Sequence, residues 1–95
     1  MANTLFFQST HKDLSRIISF KSPTQARISV KKLKAKFKRS NRHGKILIIR
    51  ATNLASNRAN AFSQNPKLSE EQRGEKREIG EIYNLAQEEF SRGLE

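Results

Sequence analysis

Acidic residues are almost missing from the first two-thirds of this chain: residues 1–67 hold fifteen Lys and Arg but a single acid, Asp13. Cysteine and tryptophan are absent, and proline occurs only at Pro23 and Pro66. Without cysteine there is no disulfide framework and no thiolate metal site. The longest apolar run, Ile46–Ile49, is far too short to cross a bilayer. The N-terminus lacks the charged start, apolar stretch and small-residue cleavage site of a signal peptide, so a cytoplasmic protein is the expectation. At 95 residues the chain is long enough for one hydrophobic core without metal or disulfide staples.

Residues 68–95 reverse the charge, with eight Glu against four Lys and Arg, so the net +10 joins a +14 segment to a −4 segment. Such asymmetry points to an anion-binding surface followed by an acidic element. Solubility alone does not require it, since interspersed charges would serve.

Periodicity and capping signals predict an all-α fold, a three-helix bundle with a short additional N-terminal helix. Residues 1–21 read as an appendage and residues 22–92 as the bundle. In the appendage, Leu5, Phe6 and Phe7 form an apolar cluster. Thr10 with Asp13 resembles a helix cap, and Leu14, Ile17 and Ile18 follow at helical spacing, which predicts a helix near 11–19. The first long helix, 22–39, has Ser22 as cap, Pro23 in its first turn and Gln25 completing a capping box. Ala26, Val30, Leu33 and Phe37 form its core stripe. Residues 40–44 read as a turn in which Asn41 and Gly44 can adopt left-handed conformations. The second helix, 45–64, puts Leu47, Ile48, Ala51, Leu54, Ala55, Ala59 and Phe62 on one broad face and ends at Asn65-Pro66. The third, 70–92, starts at a Ser69–Gln72 capping box and buries Ile79, Ile82, Tyr83, Ala86 and Phe90. Gly74 and Gly80 each weaken it by about 1 kcal/mol relative to Ala, so it needs docking to be stable. Gly80, near the stripe's edge, suits a close approach between helices.

Arg27, Lys31, Lys34 and Lys38 line one edge of the first helix, and Arg42 and Lys45 carry the charge through the turn. Lys32, Lys36 and Arg39 line the other edge. Like charges at i, i+4 destabilise an isolated helix by a few tenths of a kcal/mol per pair, and phosphates would relieve that repulsion. The first six are therefore the candidate phosphate contacts and the other three secondary contacts. On the second helix, Arg50, Asn53, Asn57 and Asn60 face away from the expected core. Asn and Arg can pair with base edges, so these four are candidate groove readers. Helix, turn, and a helix with outward amides resembles a helix-turn-helix in outline, although a turn over 40–44 is longer than usual.

Arg58 falls inside the apolar sector of the second helix, between Leu54 and Phe62. An unpaired buried guanidinium is very costly, which predicts an ion pair with Glu75 or Glu78, or escape to the rim. The Glu-rich third helix is mostly a solvated face, with Glu70 and Glu71 complementing its dipole. Its carboxylates are also candidate competitors with phosphate for the basic surface.

Nothing in the sequence points to an enzyme, a cofactor or a metal. His11 and His43 have no acid–base partner nearby in sequence, there is no thiol, and Arg42-His43-Gly44-Lys45 lacks the glycine spacing of a phosphate-binding loop. The expectation is a non-enzymatic protein that contacts the phosphate backbone of duplex DNA or structured RNA. The alternative is a protein–protein interaction module, which would engage an acidic partner or use Leu5–Phe7. An exposed Phe6–Phe7 could also mediate a homodimer.

Overall fold

A computed structural model describes Leu14 and residues 16–94. Among these residues there is no strand, and three long helices pack as a bundle: α1 (Pro23–Arg39), α2 (Arg42–Phe62) and α3 (Glu70–Leu94). The cluster Leu5–Phe7 and the pair Thr10–Asp13 lie outside the described residues. Of the short helix expected near 11–19, Leu14, Arg16 and Ile17 are helical, and Ile18 N–H donates to the Leu14 carbonyl at 3.0 Å. From Ile18 the chain continues without helix as a strap that leads into α1.

The caps explain where the helices begin. Ser22 is extended and its Oγ accepts from Gln25 N–H at 3.2 Å, a cap that typically contributes about 1 kcal/mol. The Ser69–Gln72 box is reciprocal: Gln72 N–H donates to Ser69 Oγ at 3.2 Å and Ser69 N–H to Gln72 Oε1 at 3.0 Å. Between α1 and α2 the expected five-residue turn contracts to two extended residues, Ser40 and Asn41. Ser40 donates through its N–H to Phe37 O and through Oγ to Lys36 O, closing α1. Asn41 Oδ1 accepts from Gly44 N–H at 2.9 Å and so starts α2 at Arg42. Gly44 is therefore helical, and no described residue has positive φ, contrary to the left-handed turn expected.

α3 is the central element. It packs along α2 and against α1, whereas α1 and α2 touch each other little. The core contains Ala26, Leu33 and Phe37 of α1, Ile48, Ala55 and Ala59 of α2, and Ile79, Tyr83, Ala86 and Phe90 of α3, with Leu14 added from the helical residues that precede the strap. Phe37 stacks on Phe90 with centroids 4.9 Å apart. The stripes expected for α1 and α3 are the buried ones, with Val30 and Ile82 partly covered.

α2 differs. Its buried face is Ile48, Thr52, Ala55, Ser56 and Ala59, rotated toward the small polar residues, while Leu54 is 46% exposed and Phe62 41%. The cause is a close helix crossing. A Cβ on Gly80 would stand 2.6 Å from Asn60 Oδ1, the end of an exposed side chain, and 3.3 Å from the Ser56 carbonyl, so glycine lets the two backbones meet there without displacing either neighbour. Ser56 Oγ seals the contact by donating to Gly80 O at 2.9 Å. Thr52 and Ser29 satisfy their hydroxyls on their own helices, at Ile48 O and Gln25 O. The rotation also takes Arg58 out of the core: it is exposed and has no carboxylate partner among the described residues, and Glu78 pairs elsewhere. Of the two outcomes expected for Arg58, escape to the rim is the one found.

The two central glycines of α3 make opposite predictions. A Cβ at Gly74 meets nothing within 4 Å, so Gly74→Ala should raise stability by about 0.5–1 kcal/mol. Gly80→Ala gains the same propensity but overpacks the crossing, a cost of about 1–3 kcal/mol, so it should lower stability. Urea melts of the two variants check this. Equal shifts in the same direction would contradict the close crossing.

The strap is held by one tyrosine. Tyr83 is fully buried; its hydroxyl accepts from Ser19 N–H at 3.0 Å and donates to Ser19 O at 2.7 Å. The next residue, Phe20, packs edge-on against Phe62 and Tyr83, and its carbonyl accepts from Lys76 Nζ. Burial pushes the Tyr83 hydroxyl above the ordinary tyrosine value, and the neighbouring Ser29 hydroxyl and Ser19 backbone only partly offset this. The folded state thus keeps the proton more tightly than the unfolded state. The corresponding stability is complete below about pH 10, the ordinary value, and is lost as pH rises through the raised one. Because Tyr83 is the only tyrosine, an ultraviolet titration reads it directly. A midpoint above the ordinary value is expected, and Tyr83→Phe should flatten the alkaline loss of stability.

Candidate polyanion-binding surface

α1 and α2 together carry eleven Lys and Arg and no acid. What matters is how many the fold leaves free. Two of the six candidate phosphate contacts turn toward α3: Arg27 Nη2 lies 3.5 Å from Glu78 Oε1, and Lys34 Nζ lies 3.3 Å from Glu89 Oε2. These are the only ion pairs among the described residues. All four side chains remain about half exposed, so each pair contributes no more than ~1 kcal/mol and can exchange for another anion.

Lys31 and Lys38 occupy the same edge of α1 but are exposed and unpaired among the described residues. Lys32 and Arg39 are likewise exposed on the opposite flank, where Arg39 Nε donates to its own helix at Ala35 O. Lys36 is half-buried beside the core edge. Between the two flanks runs a narrow uncharged ridge of Thr24, Ile28 and Ala35, all exposed. The nine cations of α1 and its corner therefore do not merge into one ridge. They split into a pair tied to α3, two free rows astride a neutral ridge, and a cluster at the corner.

At the corner, Lys36, Lys38 and Arg39 sit in the last turn of α1, where cations complement the helix dipole. Arg42, His43 and Lys45 sit in the first turn of α2, where the dipole opposes them and no acid compensates. The N–H groups of Arg42 and His43 have no acceptor among the described residues, which is usual for a helix start and adds to the positive potential. Arg42 is exposed, whereas the Lys45 ammonium rests 5.2 Å from the centroid of the Phe37 ring and closes the corner.

Of the candidate groove readers on α2, Arg50, Asn53 and Asn57 are exposed with no partner among the described residues. Asn60 is different: its carboxamide lies against Gly80 at the crossing with α3. The face of α3 turned away from its neighbours carries Glu70, Glu81 and Glu88 beside Arg77 and Arg92, so the acidic surface lies on the back of the helix whose front holds the core. No described helix is long and apolar enough to cross a membrane.

The fold and these charges define the chain as a small all-α bundle with a largely unneutralised cationic pair of helices. No protein-family model matches it, nor does any curated protein or solved structure.

Proposed function

We propose that this protein binds nucleic acid through the phosphate backbone, with Lys31, Lys38, Lys32, Arg39 and Arg42 as the main contacts. Arg27 and Lys34 join them when their carboxylate partners exchange for phosphate, and Lys36 and Lys45 contribute from the edge. The observation that carries this reading is that α1 and α2 lack any acid and that, among the described residues, only two of their cations meet one. A helix bearing so many like charges is weakened by its own repulsion, and a polyanion removes that penalty.

Fluorescence anisotropy with a short duplex over a range of salt tests it. Five to seven phosphate contacts predict a log–log slope of about −4.5 to −6.3. Binding that ignores salt, or none at low salt, contradicts it. Capture of an acidic protein that persists after nuclease digestion would favour the protein-partner alternative.

The ion pairs give a second handle. Deleting α3 is uninformative, because it would remove Ile79, Tyr83, Ala86 and Phe90 from the core. Glu78→Gln with Glu89→Gln instead releases Arg27 and Lys34 while keeping side-chain size. Affinity should rise, and the slope should steepen by up to about 1.8. An unchanged slope would mean that these two cations never reach phosphate.

A further inference from the structure

The pattern on α1 says more than that it is basic. Lys31 and Lys32 stand at one level of the helix, and Lys38 and Arg39 stand two turns on, about 10 Å further at 1.5 Å per residue. At about 100° per residue, Lys31 and Lys38 lie to one side of the Ile28–Ala35 ridge, and Lys32 and Arg39 lie nearly symmetrically to the other. With extended side chains the charged ends of the two rows are on the order of 12 Å apart, given the radius of a helix. The major groove of B-form DNA is about 12 Å wide, admits one α-helix, and has a phosphate strand on each side. The ridge suits its floor: Thr24, Ile28 and Ala35 are small or apolar, and Ile28 is 41% exposed in the middle of the cationic face.

From this we infer that α1 lies in the major groove of B-form duplex DNA. Lys31 and Lys38 contact the phosphates of one strand and Lys32 and Arg39 those of the other. Ile28 and Ala35 face base edges, where an apolar group meets the thymine methyl. Arg27 and Lys34, paired with Glu78 and Glu89 on the flank facing α3, brace α1 against α3 until phosphate displaces those carboxylates. A ridge without amides or guanidinium groups reads little sequence, so preference is weak and biased toward A·T pairs. Duplex RNA is a poorer fit because its major groove is deep and narrow. Single strands need stacking aromatics, but among the described residues Phe37, Tyr83 and Phe90 are buried and Phe62 packs on Phe20. The inference rests on the nucleic-acid reading and adds the duplex type, the groove and the helix that enters it.

Dimethyl sulfate footprinting of a mixed-sequence DNA duplex with the full chain tests it, since guanine N7 lies in the major groove and adenine N3 in the minor groove. Protection of N7 with N3 unaffected is expected. Ala35→Glu, an exposed helix position, should remove that protection and weaken binding roughly tenfold or more; Ile28→Ser, checked for helicity in parallel, should weaken A·T preference without changing the salt slope. The inference is overturned by N3 protection, by equal or tighter binding to duplex RNA, or by loss of N7 protection on Asn53→Ala with Asn57→Ala but not on Ala35→Glu, which would make α2 the reading helix. Each of those leaves backbone binding intact. Absence of binding to DNA and RNA at low salt would remove both readings together.

Discussion

Replacing Lys31, Lys32, Lys38 and Arg39 together by Gln should weaken duplex binding at about 0.1 M salt by roughly three orders of magnitude and make the salt slope shallower by about 3.6, four contacts at about 0.9 each. The fold should survive. All four side chains are exposed and none pairs with an acid among the described residues. Gln is as good a helix former as Lys or Arg, and removing like charges from α1 relieves repulsion worth a few tenths of a kcal/mol per pair. A melting temperature equal to or slightly above the parent's is therefore expected alongside the lost affinity. Arg50→Gln with Arg58→Gln on α2 is the matched control, with a loss nearer tenfold. If the control loses as much as the quadruple variant, α1 has no special role and the surface is only diffusely basic.

Tyr83→Ala should cost about 3–5 kcal/mol, the range for deleting a buried aromatic ring, a large share of the 5–15 kcal/mol that holds a domain of this size together. Tyr83 stands where α3, the strap and α1 meet: its ring contacts Phe20, and its hydroxyl both accepts from and donates to the backbone of Ser19. Tyr83→Phe separates the two contributions. It keeps the ring but leaves the half-buried Ser19 N–H and C=O without their partner, which should cost about 1–3 kcal/mol. Hydrogen exchange should then show the Ser19 amide opening well before the α2–α3 core. A Phe variant as stable as the parent would mean that the strap is held by Leu14, Ile17, Ile18 and Phe20 alone.

Much of this architecture was legible from local chemistry. The stripes of α1 and α3 could be read because their apolar residues recur at three and four and polar residues fill the rest. The two serine caps could be read because a hydroxyl before a helix has one favourable use. α2 resisted for a physical reason. Its apolar residues spread over so broad an arc that periodicity fixes helix but not rotation. The rotation was decided by Gly80, Ser56 and Asn60 at the crossing, and a pattern that scores Ser and Thr as polar cannot see a face buried because it is small. The same rotation decided between the two outcomes open to Arg58 and carried it to the rim. Asn41 and Gly44 suggested a left-handed turn, yet the side-chain cap from Asn41 carried the helix through Gly44.

The candidate surface was legible as charge but not as arrangement. One acid in 67 residues marks α1 and α2 as cationic whatever their packing. That Glu78 and Glu89 reach Arg27 and Lys34, while Lys31 and Lys38 on the same edge stay free, depends on how α3 docks and has no local signature. The bond between Ser19 and Tyr83 is equally non-local.

Chemical-shift mapping of the full chain with a short DNA duplex, at low and at moderate salt, tests the central claim most directly. Perturbations should concentrate on Lys31, Lys32, Ala35, Lys38, Arg39 and Arg42 and fade together as salt rises. Perturbations centred on Glu81, Leu85 and Glu88 at the back of α3, or a spectrum unmoved by DNA at low salt, would contradict it.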